Sequence, residues 1–292
     1  MAEVPGPPRF TGDRDANQAA VENYLGDLAR SLQEGASGAA TSGLPRGHID
    51  GFRLANNTTN ASLFIDVKPG VARSDDDAAD IKRSSGITKI LSARFEAGAN
   101  KGMLDAGAKA ASSWYHQFTI ANPSSGDPDF LASLSATAPS LPTGYSKKRR
   151  IGALRTDSAG AILPFTQHGN KFLWSTPIQE LNGAVTVGAK TLTLTGVPTG
   201  IAVEAIIACY INDGTPNSIY FSALSQAALT PSRSGVPGAT VVRIDNGADG
   251  LGAHMPILTD TAARIRYEVE AAASTVIVWT LGWIDPRGAN AD

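Results

Sequence analysis

The spacing of hydrophobic residues changes character once along this chain. Between Asp15 and Glu34 the apolar residues Val21, Leu25, Leu28 and Leu32 follow a 4-3-4 spacing, which sets them on one stripe of a helix. Asp13 or Asp15 is placed to cap its start and Gly35 to end it. Two heptads of apolar stripe are marginal alone in water, so the stripe needs a surface. That surface is either its own domain or a short parallel bundle of copies of itself. Residues 35–47 read as a flexible tether, and the Pro- and Gly-rich residues 1–12 as an extended arm.

Beyond Gly47 short alternating runs take over, such as Ser62–Val67, Trp114–Ile120 and Lys171–Trp174, separated by turn sequences such as Lys68-Pro69-Gly70. The second half carries seven candidate strands: Ala184–Val187, Thr191–Leu194, Val203–Ile211, Ser218–Phe221, Thr240–Ile244, Arg264–Glu270 and Thr275–Trp283. Strands this frequent predict an antiparallel β-sandwich or jelly roll. The expected chain is mainly β, preceded by one N-terminal helix. It divides into an arm, helix and tether (1–47), a β-rich domain (48–178) and a sandwich or jelly-roll-like domain (179–292).

Composition agrees with many short strands: of 292 residues only 18% are charged, while Gly (30) and Pro (17) are plentiful. The formal net charge of −2 supplies no global field for nucleic acid or an anionic membrane, so neither is expected as a partner. No stretch has the apolar length of a membrane span or the pattern of a secretory signal, which predicts a protein made and kept in water. The single cysteine, Cys209, lies in an apolar run and reads as a small buried hydrophobe.

Candidate chemistry is sparse. His48, His116, His168 and His254 are scattered without metal-site spacing, and His116 inside its strand reads as structural. No nucleophile elbow, phosphate loop or dinucleotide fingerprint occurs, so neither an enzyme nor a cofactor is expected. A paired-carboxylate glycosidase is the one catalyst that motifs do not address, because its acids meet only in space. Oxygen ligands cluster at Asp75, Asp76, Asp77 and Asp80, either a solvated acidic loop or a weak calcium candidate. Tyr145 followed by Lys147, Lys148, Arg149 and Arg150 is either an edge strand guarded by charge or a contact for a phosphate or anionic sugar.

Several stretches resemble a recurring domain of phage tail and fibre proteins. They are Phe64–Ser74 leading through Gly98 to Leu104-Asp105 and Trp114-Tyr115-His116, then Ser135–Tyr145 with its PxxPxGY turn. Lys148-Arg149-Arg150-Ile151-Gly152, Phe165-Thr166-Gln167 and the closing Leu281-Gly282-Trp283-Ile284-Asp285 complete the set. The resemblance covers residues 50–176 well and the second half loosely. It implies a virion structural protein of tail, baseplate or fibre, in assembly or host attachment. It also implies a homotrimer whose partners are itself, other virion proteins and a host-surface glycan or protein. A capsid-surface decoration protein and a glycan-binding receptor module are the alternatives. The glycan reading expects Trp114, Tyr115 or Tyr145 to be exposed, whereas the structural reading expects Trp114, Trp174, Trp279 and Trp283 in the core.

Overall fold

The computed structural model describes residue 7 and residues 14–40, 43–126, 128–212, 216–231, 240–244 and 255–288, in two compact units, 1–45 and 46–292. In the first unit α1 (Arg14–Ala40) carries Asp15 in its first turn, where a carboxylate complements the helix dipole. The helix does not stop at Gly35. Glycine costs about 1 kcal/mol in a helix interior, but Ala36, Ala39 and Ala40 follow and no proline intervenes before Pro45. Among the side chains described on α1, Val21 and Leu28 are half-buried and Leu25 is 55% exposed; that of Leu32 lies outside the described residues.

The second unit opens with ten strands: β1 (Ile49–Gly51), β2 (Leu54–Asn56), β3 (Phe64–Val67), β4 (Gly70–Arg73), β5 (Asp80–Arg83), β6 (Ile87–Arg94), β7 (Lys101–Leu104), β8 (Trp114–Ala121), β9 (Pro128–Ser133) and β10 (Lys147–Arg155). They form a three-stranded sheet, β1-β4-β5, and a seven-stranded sheet, β10-β8-β9-β7-β6-β3-β2. In the larger sheet β7 runs parallel to both its neighbours. All eight residues of β8 are buried, as a strand covered on both faces requires.

Nine strands follow: β11 (Phe165–His168), β12 (Lys171–Val185), β13 (Lys190–Thr193), β14 (Glu204–Asn212), β15 (Asn217–Ser222), β16 (Thr240–Ile244), β17 (Met255–Leu258), β18 (Arg264–Val269) and β19 (Ala273–Ile284). From β12 onward they nest in antiparallel pairs, β12 with β19, β13 with β18, β14 with β17 and β15 with β16. Pairing of β14 with β19 and of β15 with β18 gathers them into two sheets, β12-β19-β14-β17 and β13-β18-β15-β16. This is jelly-roll topology, a long eight-strand hairpin rolled into a sandwich, with β11 added beside β12.

All seven candidate strands of the second half are present, with two differences. Lys171–Trp174 and Ala184–Val185 belong to one strand, because Pro177 falls where the β12–β19 register slips between Leu173 and Ile178, and a bulge tolerates proline. The boundary expected between residues 178 and 179 therefore lies inside a continuous strand, and the compact unit takes in both halves. The second difference is β17, a strand that the sequence pattern does not predict because it contains Pro256, which is accommodated at the sheet edge.

One contiguous core reaches from Phe52 to Trp283 and includes residues of both large sheets and the jelly roll. At its centre Trp283 is wholly buried, stacked on Phe172 at 4.8 Å with the ring planes 5° apart, and met edge-on by Trp114 at 5.3 Å. Gly282 makes this stack reachable. A Cβ there would overlap the Phe172 carbonyl oxygen and lie 2.9 Å from the Leu173 Cα, so only glycine lets β12 approach β19. Gly282→Ala is expected to cost roughly 3 kcal/mol, lowering Tm by about 6 °C or more in a thermal melt. An unchanged Tm would show that the two strands can separate freely at this point.

Candidate functional site

The acidic and basic runs meet each other. The β4–β5 loop carries Asp75, Asp76 and Asp77, Asp80 opens β5, and β10 begins at Lys147. Lys147 Nζ lies 2.6 Å from Asp76 Oδ2, and Lys148 Nζ 2.6 Å from Asp75 Oδ2. The Asp75 N–H donates to the Lys148 carbonyl at 2.9 Å, fixing loop to strand. Arg73 takes the remaining two carboxylates, Asp77 at 2.6 Å and Asp80 at 2.9 Å. Ser74, itself buried, donates from Oγ to Asp76 and accepts the Ala79 N–H. Burial pushes the Asp76 carboxyl up, but the hydrogen bonds from Lys147, Ser74 and the Ala78 N–H outweigh it and bring it down to about 2.

Thus the carboxylates considered for calcium and the lysines considered for an anion hold one another. Among the described residues no group of three or more His, Cys, Asp or Glu is arranged to hold a metal ion.

Arg149 and Arg150 turn inward. The β8–β10 register shifts between Arg150 and Gly152, so one residue of β10 is left over and the strand bends locally. Arg149 donates to the carbonyls of Gly47 at 2.8 Å and Arg287 at 3.1 Å, and burial lowers its pKa against the pull of Asp75. Arg150 grips Asp285 with both terminal nitrogens, at 2.6 and 2.9 Å, and donates from Nε to His116 Nδ1 at 3.1 Å. Asp285 is wholly buried and also accepts the Arg287 N–H at 2.7 Å and the Trp283 indole N–H at 3.3 Å. Burial alone would raise its pKa; the Arg150 charge and these four hydrogen bonds hold the carboxyl below its ordinary value.

Arg287 completes the arrangement. Its guanidinium donates to three backbone carbonyls, those of Gly51, Phe52 and Ile151, at 2.7 to 2.8 Å. Burial, opposed by Asp285, brings its pKa down to about 10, so it remains charged at neutral pH. Both Arg287 (φ 51°) and the fully buried Phe52 (φ 47°) adopt the left-handed region, a conformation that costs a non-glycine residue about 1–2 kcal/mol and that this clasp maintains. Residues 285–288 therefore form a clasp joining the last jelly-roll strand to the edge strand β10 and to the β1–β2 turn.

His116 accepts from Arg150 on Nδ1 and hydrogen-bonds the Thr199 backbone. Burial first, and then the Arg150 charge, push its pKa down to about 3, so the ring is neutral. Of the other histidines His168 is exposed, His48 half-buried, and His254 lies outside the described residues. The Cys209 thiol is buried, which pushes its pKa up to about 12 and leaves it without thiolate character.

The rings considered for sugar stacking are withdrawn from solvent. Trp114 and Tyr115 are buried, and the Tyr115 hydroxyl accepts the Ala110 N–H at 2.7 Å. Tyr145 is half-buried, edge-on to Phe95 at 5.4 Å. Trp174 and Trp283 are core residues, while Trp279 is half-buried. A second buried ion pair lies elsewhere in the seven-stranded sheet, where Lys89 meets Asp129 at 2.9 Å and donates to the carbonyls of Glu96 and Gly98.

Sequence reasoning singles out Arg149 and Arg150 but not their partners. Asp285 and Arg287 stand in an Asp-Pro-Arg-Gly segment just after a strand, and an acid and a base flanking a proline behind an apolar run are the available signal. No family model matches the chain, and no curated protein matches it. What the geometry defines is a mainly β protein, a jelly roll joined to mixed and antiparallel sheets, whose most distinctive charges form an internal clasp.

Asp285→Ala leaves Arg150 buried without its anion and is expected to cost about 3–5 kcal/mol in urea unfolding. Arg150→Met with Asp285→Leu together should cost less than the sum of the single changes; strict additivity would mean that the pair is not coupled. For His116 the folded pKa of about 3 lies below the ordinary 6.5. Its contribution is complete above pH 6.5 and is lost as pH falls through the window, at about 1.4 kcal/mol per pH unit, because only the unfolded chain takes up the proton there. His116→Gln should flatten the slope of unfolding free energy between pH 6.5 and about 4 by one proton; equal slopes would contradict a neutral buried ring.

Proposed function

We propose that this chain is a non-catalytic structural protein of a phage particle, a tail, baseplate or fibre component acting in assembly or host attachment. The observation that carries the reading is the use made of the Lys148–Arg150 run and of Asp285. These are residues of the stretches that resemble phage tail and fibre domains, and each serves to join one part of the β unit to another. The resemblance thus falls on residues with a demanding structural task. Jelly rolls recur in viral capsid and lectin domains, which favours a virion role by analogy of fold. The same analogy makes a capsid-surface decoration protein the second reading.

The helix supplies the means of assembly. Val21, Leu25 and Leu28 follow heptad spacing, yet none of these side chains is buried. Packing copies of α1 side by side would remove that stripe from water, and the proposed state is a homotrimer localised in the virion. Light scattering on a sizing column compares the full chain with a version starting at Gly47. The expected result is a trimer for the full chain and a monomer for the truncation. Two monomers would overturn self-assembly through the helix, and two trimers would transfer the assembly contacts to the β unit.

A further inference from the structure

Two clefts of about 660 and 290 Å³ share Arg53 and Lys68 as a common wall. The larger is bounded by β1, by the turn at Gly169 and Asn170, and by the clasp residues Pro286 and Arg287. The smaller runs between β2 and β11, which are the outer strands of the seven- and five-stranded sheets. These two edges meet through side-chain amides: Gln167 Oε1 accepts the Leu54 N–H at 2.7 Å, and Asn56 Oδ1 accepts the Phe165 N–H at 3.0 Å.

The charges on the shared wall are unusual. Lys68 N–H donates to the Arg53 carbonyl at 2.9 Å, one step beyond the Leu54–Val67 pair, so the two residues stand opposite each other where β2 begins and β3 ends. Like charges directly opposite across a strand pair repel. Both side chains are exposed and neither has an ion-pair or hydrogen-bond partner among the described residues. The Arg287 charge adds to theirs in the wall of the larger cleft, and among the described residues lining either one Asp50 is the sole carboxylate. On a chain of net charge −2 this is a local reversal of sign. An anion placed between Arg53 and Lys68 would turn a repulsion into two attractions.

We propose that the paired clefts are a docking groove for an extended acidic segment of a partner polypeptide, with its carboxylates seated between Arg53 and Lys68. Charge complementarity sets the sign of the occupant. Two sheet edges as walls give the groove a linear course, which fits an extended backbone. An anionic glycan is the less favoured occupant, because the one aromatic residue among the described lining residues, Phe165, is buried and offers no stacking face. The inference goes beyond the virion reading and does not depend on it.

The test uses the full chain and a fluorescein-labelled hexaglutamate peptide, titrated by fluorescence anisotropy at low salt. Saturable binding is expected, weakened at least about tenfold by Arg53→Glu with Lys68→Glu and unaffected by Lys190→Glu on β13, with the effect shrinking as salt screens it. In the absence of peptide, Lys68→Gln should leave Tm unchanged or raise it, since it removes a like-charge neighbour; a fall in Tm would show that the pair is already compensated within the chain and would overturn the proposal. So would a lack of saturable binding, or binding indifferent to the double reversal. Tighter binding of an oligogalacturonate through the same two residues would replace the peptide by a carbohydrate. The oligomeric state of the chain is measured separately, so failure here and failure of the helix-mediated assembly are distinguishable.

Discussion

The bidentate contact between Arg150 and Asp285 is the constraint on which the rest of the β unit depends. A carboxylate with no exposure to water must have its charge met at once, and the partner comes from a residue 135 positions earlier. The desolvation of both ions makes the contact unforgiving of displacement, because either ion alone would be left buried without compensation. The surrounding features follow from that demand. Trp283 lends its indole N–H, the Arg287 backbone adds another donor, and His116 stays neutral to accept the guanidinium's third nitrogen. The bulge beside Gly152 sets the local register in which Arg150 faces this cluster. β10 would otherwise be an open edge of the seven-stranded sheet, and the clasp covers it by directing Arg287 onto the Ile151 carbonyl.

The remaining charges divide into those satisfied at home and those left over. Lys147 and Lys148 answer Asp76 and Asp75, Arg73 answers Asp77 and Asp80, and Lys89 answers Asp129. A nearly neutral chain could have scattered these groups over its surface. Here the three lysines join elements that are distant in sequence, a loop to a strand and one strand of the seven-stranded sheet to another. Against that background Arg53 and Lys68 stand out, because they face each other where these four cations face acids.

Legibility in the sequence follows the range of the interactions. Alternation along Val203–Ile211 or Thr275–Trp283 is local, so β14 and β19 can be read from their own residues, and the frequency of such runs points to the sandwich class. Position-specific exceptions conceal the rest. Pro177 suggests a break, yet it occupies a bulge in β12; Pro256 argues against a strand, yet it lies on an edge; Gly35 suggests a stop, yet alanines carry the helix to Ala40. Both charged runs are visible in the sequence, but nothing within either run indicates that Lys148 will lie beside Asp75, 73 residues away. Asp285 and Arg287 escape for the same reason: their partners are more than a hundred residues distant.

That long range also explains why the clasp sits where it does. In a nested jelly roll the innermost pair, β15 with β16, closes a short loop, whereas β12 with β19 encloses the whole domain. Closure entropy grows with the logarithm of the enclosed length, so the outermost pair begins with the largest deficit. A buried aromatic stack and a buried ion pair lie at or beside that pair. The Trp283–Phe172 stack spans it directly, Gly282 lets its backbones approach, and Asp285 follows immediately, binding the end of β19 to a residue outside the jelly roll. Buried aromatic area and a buried bidentate ion pair thus act at the point where the topology alone holds least well. Opening the outer pair would expose the aromatic stack and strand both ions, which makes fraying from this end of the jelly roll costly.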